Sequence, residues 1–216
     1  MVEVHVNGRR LLQRLEALAR IGANEQGGID RQLASAADVD ARAWLQRCWS
    51  SELGLSVRLD AVANLWGEGA EGTEPGRKPI LLGSHHDTVP NGGRYDGALG
   101  VLMATEVLQT LCEAGVRLRH PVGLVSFVGE EPNGFGVSTF GSKVLCGRLT
   151  GEDVRALRHA ETGELLNGAL DRMGGDAEHV GSARLQPGAF AAFMECHIEQ
   201  GWRLIDAGGT AAAVSC

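Results

Sequence analysis

No window of the chain reaches the roughly 18 uninterrupted apolar residues that a membrane-spanning helix needs. The first residues, MVEVHVNGRR, also lack the apolar core of a secretion signal. Basic charge is short: 20 Lys and Arg stand against 27 Asp and Glu, a formal net charge of -7. Without a basic stripe to neutralise phosphates, a nucleic-acid partner is disfavoured, and nothing supports a membrane partner. The five cysteines, Cys48, Cys112, Cys146, Cys196 and Cys216, include no C-x-x-C pair. An odd set of this kind points to reduced thiols in a cytoplasmic protein, most of them serving as small buried hydrophobes. No period of 20 to 50 residues recurs, which argues against a repeat array. What remains is ordinary soluble composition, 44% hydrophobic and 22% charged over 216 residues. That length suffices for one large domain or two small ones.

Apolar spacing predicts a helix over Gly8 to Arg20 and a second over Ser35 to Leu53, stopped by Gly54. Short strands are expected at Leu55 to Leu59 and Ala63 to Trp66, followed by an exposed linker, GEGAEGTEPGRK. Ala98 to Ala114 reads as a helix whose Glu106, Gln109 and Glu113 form one polar stripe. Pro121 to Val128 is a continuous apolar run that suits an interior parallel strand. Thr150 to Leu157 and Glu161 to Met173 read as short helices, Thr150 and Asp153 making a capping box. His159 and His179, without partners at ligand spacing, are read as surface residues. Strands alternating with helices predict an α/β domain: a mixed, mostly parallel sheet flanked by helices.

The stretch Ile80 to Val101, ILLGSHHDTVPNGGRYDGALGV, carries most of the chemistry. An apolar strand breaks at Gly83 into a polar edge, then a Gly-rich loop leads into a helix. His85 and Asp87 share one face of the strand end while His86 takes the other. An imidazole in that relation can bind a metal through one nitrogen while the carboxylate accepts the other N–H and fixes the tautomer. Asp96 stands just before the next helix, where it could be a ligand or an ordinary N-cap. Glu130 and Glu131 end the second apolar strand, the position where open α/β sheets gather their chemistry. Two adjacent carboxylates there allow one to bind metal and the other to act as a general base. In FAAFMECHIEQGW, Phe190 to Trp202, alternation sets Glu195, His197 and Glu199 on one face of an expected buried strand. The candidate metal set is therefore His85, Asp96, Glu131 and His197, with Asp87 and Glu130 unliganded beside them. Imidazole and carboxylate are the ligands of catalytic zinc, and manganese or cobalt fits as well.

GSHHDTVPNGGRYDG, the pair Glu130 and Glu131, and HIEQG from His197 to Gly201 resemble the dinuclear metallopeptidase-like amidohydrolases. Within these the chain is most similar to the N-carbamoyl-L-amino-acid hydrolases, β-ureidopropionases and allantoate or ureidoglycolate amidohydrolases. The resemblance implies two divalent metal ions, with His85 and His197 on one, Asp96 bridging and Glu131 on the second. It implies Glu130 as general base, Asp87 orienting His85, and Gln200 contacting the substrate. The implied reaction is hydrolysis of a ureido C–N bond in a small molecule, releasing ammonia, carbon dioxide and an amino acid. An aminoacylase or dipeptidase shares the same metal cage and is the alternative within enzymes.

The chain departs from the family's pattern in three respects. Where the family usually shows E-E-G-S-R-F, this chain has Pro132, Asn133, Gly134 and Phe135 after the glutamates, so the arginine is missing. His86 occupies a position more often apolar or uncharged. Members of the family are about twice as long, are homodimers, and carry an inserted dimerisation domain before the chain returns to complete the catalytic sheet. Residues 1–216 are therefore expected to be the N-terminal portion of the catalytic domain, with Cys216 near the first hinge, or else an inactive metal-binding fragment.

Overall fold

The computed structural model describes residues 3–70 and 72–214. Helix α1 (Gly8–Ala19) starts where the Asn7 side chain accepts the Arg10 N–H, and α2 (Ala36–Arg47) where Ser35 accepts that of Asp38. The helix expected over 35–53 is divided. After Arg47 it widens into a π-type turn, Cys48–Glu52, that buries Trp49 completely and lets its indole N–H donate to Thr105 Oγ1 at 2.9 Å. There follow β1 (Ser56–Leu59), β2 (Leu65–Ala70), β3 (Ile80–His85), α3 (Ala98–Glu113) and β4 (Val122–Phe127). The chain continues through α4 (Phe140–Leu145), α5 (Gly151–Ala156), α6 (Leu166–Arg172), β5 (Ala192–Met194) and α7 (Arg203–Asp206). The capping box between Thr150 and Asp153 is formed.

The five strands make one mixed sheet in the order β1-β2-β4-β3-β5. β1 with β2 and β2 with β4 are antiparallel, whereas β4, β3 and β5 run parallel. Alternate residues of the central strands feed opposite cores, as a two-residue period requires. Leu65 and Leu124 join Leu15, Leu45, Trp49, Leu102 and Leu108 beneath α1, α2 and α3. Trp66, Leu81 and Val125 join Phe140, Val144, Leu166 and Leu170 beneath α4, α5 and α6.

Three expectations are corrected. β2 runs on into the stretch read as a linker, because Gly67 leaves the room that Trp49 and Leu55 fill; a Cβ there would lie 3.0 Å from the indole. The helix expected from Glu161 starts only at Leu166. Ahead of it a turn with Gly163 at φ +72° is closed by the His159 N–H on the Glu164 carbonyl at 2.8 Å. Of the cysteines, only Cys48 among the described residues is buried. Cys112, Cys146 and Cys196 sit at or just past the ends of elements and are exposed, and Cys216 lies outside the described residues. Among the described residues no helix is long and apolar enough to cross a membrane.

Two polar networks lock helices to this sheet. The stripe on α3 clasps α1. The buried Glu106 carboxylate accepts from Arg10 Nε and Nη2, both at 2.8 Å, from the Asn7 N–H at 2.9 Å and from Thr110 Oγ1 at 3.0 Å. Arg14 donates to Gln109 Oε1 at 2.6 Å and to Glu52 Oε2 at 2.5 Å. The second network ties α2 to the end of β3. His86, fully buried, places Nε2 at 2.8 Å from Asp38 Oδ1 and Nδ1 at 2.6 Å from Ser126 Oγ. Asp38 is held in turn by Arg42 Nη2 at 3.1 Å and by the Ala34 N–H at 2.8 Å. Burial pushes the Asp38 carboxyl up, but Arg42 and His86 outweigh it and hold the group at about 2. Burial pushes the His86 imidazole down. The neutral ring thus donates to Asp38 through Nε2 and accepts the Ser126 hydroxyl at Nδ1.

Glu106→Ala leaves two guanidinium groups facing a buried gap and is expected to cost about 3 kcal/mol in urea unfolding. Glu113→Gln, on the exposed rim of the same stripe, is expected to leave the urea midpoint close to that of wild type. Because the folded carboxyl of Asp38 lies below its ordinary value of 3.8, its contribution is complete above that pH. It is lost as pH falls toward about 2. Wild type is therefore expected to lose roughly 2 kcal/mol more than Asp38→Asn across that window, read by denaturation at stepped pH.

Candidate metal centre

β3 and β4 pair in parallel with His85 opposite Phe127, so the loops leaving their carboxyl ends emerge side by side. One loop carries Asp87 and Asp96, the other Glu130 and Glu131. The Asp87 carboxylate fastens them together, Oδ1 accepting the Glu130 N–H at 3.1 Å and Oδ2 the Glu131 N–H at 3.0 Å. It was expected to accept from His85 instead. In the structure His85 Nδ1 lies 3.1 Å from the Asp87 main-chain oxygen and 3.6 Å from the carboxylate. A carbonyl can only accept, so Nδ1 carries the proton and Nε2 presents a lone pair. Asp87 therefore sets the His85 tautomer through its backbone and the position of the two glutamates through its side chain.

Asp96 does not cap α3. Gly97 occupies that position at φ +62°, with no side-chain cap bond. A Cβ at Gly97 would lie 2.4 Å from the His85 ring, so glycine is needed both for the turn and for the close approach. The Asp96 carboxylate turns toward the histidines, with Oδ1 3.9 Å from His85 Nε2 and 3.2 Å from His197 Nε2. Its other oxygen, Oδ2, accepts from Gln200 Nε2 at 2.5 Å.

The segment bearing His197 differs from the buried strand expected over Phe190 to Trp202. Only Ala192–Met194 forms a strand; it lies on the sheet edge, with Phe193 45% and Met194 62% exposed. Beyond Met194 the chain leaves the sheet and crosses the start of α3. Gly100 permits that crossing, since a Cβ there would lie 2.3 Å from the Cys196 carbonyl oxygen. Glu195 accepts from Ser84 Oγ at 2.5 Å, and Glu199 accepts the Leu204 N–H at 2.8 Å. His197 Nδ1 lies 2.9 Å from the Ile198 carbonyl, which assigns its proton to Nδ1 and leaves Nε2 bare.

With both rings neutral, two imidazole lone pairs thus face one carboxylate oxygen. His85 Nε2 and Asp96 Oδ1 are buried and have no hydrogen-bond partner among the described residues. Acceptors that converge in this way repel unless a cation lies among them, and a borderline-soft divalent ion suits the donor set. His85, Asp96 and His197 offer ligand atoms within 4.8 Å of one another, and His85, Glu130 and Glu131 do the same. Glu130 Oε2 lies 3.6 Å from His85 Nε2, so both glutamates reach the centre. The electrostatics agree with a cation-seeking site. Burial pulls the His85 imidazole down, yet Asp87, Glu130 and Glu131 outweigh it and hold the ring at about 9, so at neutral pH without a metal a proton stands at Nε2 where the cation would sit, and metal binding would release it. Burial pushes Glu131 up; the carboxylates of Asp96, Glu130 and Asp87 add to this, while His85 opposes it.

All seven site residues read from the sequence, His85, Asp87, Asp96, Glu130, Glu131, His197 and Gln200, meet at this centre. Two supports were not read from it. Arg31 is fully buried and donates through Nε to the His86 carbonyl at 2.6 Å, gripping the residue between His85 and Asp87. The Asp38 to His86 bond grips the same residue from its side chain. An acid and an arginine four apart on α2, at Asp38 and Arg42, were the available signal.

The chain is similar to known proteins. Residues 81–211 match the model of peptidase family M20/M25/M40. An N-carbamoyl-L-amino acid amidohydrolase from Geobacillus stearothermophilus is 40% identical over 203 residues, covering 94% of this chain and 49% of that protein. A ureidoglycolate hydrolase from Oryza sativa subsp. japonica is 33% identical over 201 residues, covering 91% of this chain and 41% of that protein. The crystal structure of a hydantoinase/carbamoylase family amidase from Burkholderia ambifaria superposes with a TM-score of 0.84 at 38% identity, covering 95% of this chain and 49% of that one. The chain spans about half the length of the curated relatives it matches. With the family model covering more than half of its residues and a cation-seeking cluster built from the matched stretch, the chain belongs to peptidase family M20/M25/M40, a family of metal-dependent hydrolases.

Proposed function

We propose that the chain is the N-terminal portion of the catalytic domain of a metal-dependent amidohydrolase that cleaves the ureido C–N bond of N-carbamoyl-amino acids or allantoate-like compounds. The observation that carries this reading is the meeting of the His85 and His197 lone pairs at the unpartnered Asp96 oxygen, beside a paired-glutamate loop. The names of the relatives supply the ureido chemistry.

In this reading His85, Asp96 and His197 would hold one divalent ion, and Asp96 with Glu131 would help to hold a second. Zinc is the first choice, and manganese or cobalt also suits the nitrogen and oxygen donors. When bound, such ions polarise a substrate carbonyl and make a nearby water more acidic. Glu130 takes the proton of the attacking water and delivers it to the departing nitrogen. Asp87 fixes the tautomer of His85 and the height of both glutamates. Gln200, its amide nitrogen tied to Asp96, keeps its carbonyl oxygen for a ureido N–H. The reading also places the protein in the cytoplasm and supplies, in a longer chain, a dimerisation domain, a homodimer and the residues that complete the second metal site. A metal-binding fragment without turnover of its own is the second reading, favoured by the half-length match and the uncovered edge at Phe193 and Met194.

At equal metal content, Glu130→Gln is expected to lower kcat on N-carbamoyl-L-amino acids by at least ~100-fold. N-acyl amino acids are expected to be the poorer substrates. Turnover that survives Glu130→Gln removes the base from its role, a preference for N-acyl compounds moves the protein to the aminoacylases, and one bound ion without turnover supports the fragment.

A further inference from the structure

Beside the centre lies a cleft of about 490 Å³ that the reaction chemistry leaves unused. Part of its wall comes from the same two loops: Pro90 follows Asp87 by three residues and Gly134 follows Glu131 by three. A three-residue span is at most about 10 Å long, so the cleft lies within reach of a substrate held at the metal ligands. Leu33, Pro90 and Phe135 supply an apolar wall.

His159 stands opposite. Its ring packs edge-on against Phe135, with centroids 5.2 Å apart, over Gly134, where a Cβ would lie 2.0 Å from its Nε2. Nδ1 accepts the backbone N–H groups of Glu161 at 3.3 Å and Thr162 at 3.4 Å, so the ring proton rests on Nε2. That N–H has no partner among the described residues and is not fully buried, and His159 lines the cleft. Ser35 and Thr162 on the same lining also accept internal N–H groups, from Asp38 at 3.1 Å and Glu164 at 3.3 Å. What all three have left to offer is chiefly a proton. Arg172 brings no free positive charge, because Glu164 neutralises it, and Glu161 adds a negative one.

We infer that this cleft is a specificity pocket for the substrate's side chain, and that it selects an apolar stem ending in a neutral hydrogen-bond acceptor such as a carboxamide. The inference rests on the ureido reading. His159 is its specificity-determining residue: the N–H donates to the side-chain carbonyl, while Glu161 disfavours a carboxylate at the same place.

The test is binding of three probes to the zinc-loaded 216-residue chain by calorimetry, with amide NMR shifts locating each probe. N-carbamoyl-L-glutamine is expected to bind roughly fivefold to tenfold tighter than N-carbamoyl-L-methionine, the worth of one net hydrogen bond. It should also bind tighter than N-carbamoyl-L-glutamate, with shifts at Ser35, Gly134 and Thr162. His159→Phe should abolish the preference for the glutamine compound over the methionine compound, and His159→Gln should retain part of it. Equal binding of glutamine and methionine compounds, or shifts confined to the metal ligands, overturns the pocket while leaving the ureido reading in place. Failure of all three ureido compounds to bind, with acetyl-L-glutamine binding instead, overturns both.

Discussion

Three potential ligand atoms, two imidazole nitrogens and one carboxylate oxygen, converge on one point, and most of the surrounding structure serves to hold them there. Such an arrangement is unfavourable without a cation, because His85 Nε2 and Asp96 Oδ1 are buried without a hydrogen-bond partner among the described residues. The chain maintains it by turning the Nδ1 protons of both rings elsewhere. His85 gives its N–H to the Asp87 carbonyl and His197 to that of Ile198, while Gln200 occupies only the far oxygen of Asp96. A cation is the ligand that turns this repulsion into binding energy, and metal affinity in such sites is commonly set by the hydrogen bonds behind the ligands.

The sheet supplies the geometry and the helices its stiffness. Parallel pairing of β3 with β4 brings the carboxyl ends of two buried strands together, and Asp87 stitches the loops that leave them. Behind His85 the chain is gripped at His86 from three directions: by Asp38, by Ser126 and by Arg31. His86 thereby does with hydrogen bonds what an apolar residue would do by packing. The third ligand arrives differently, on a short exposed strand whose continuation lies across α3 where Gly100 leaves space.

Much of this was legible in the sequence because the signals were local. The apolar runs ending in His85 and Glu130, their turn residues and the HIEQG motif each carry their meaning within a few positions, and the fold brings their polar side chains together. What was not legible depended on distant partners. The glycines after Trp66 read as a linker because nothing local shows Trp49 and Leu55 filling the space above them. The alternation around His197 suggested a buried strand, but alternation cannot say whether a neighbouring strand is there to cover it. His159 read as a surface residue because its partners, Gly134 and Phe135, lie on a loop more than twenty positions earlier. Asp38 and Arg31 were missed for the same reason, their roles being defined by His86 on another element.

The direct test is anomalous diffraction at the zinc edge from crystals of the zinc-loaded chain. One ion is predicted at about 2.0–2.2 Å from His85 Nε2, His197 Nε2 and an Asp96 oxygen. An ion bound elsewhere, or a His197 ring turned away from Asp96 with zinc present, would contradict the convergence on which the whole reading stands.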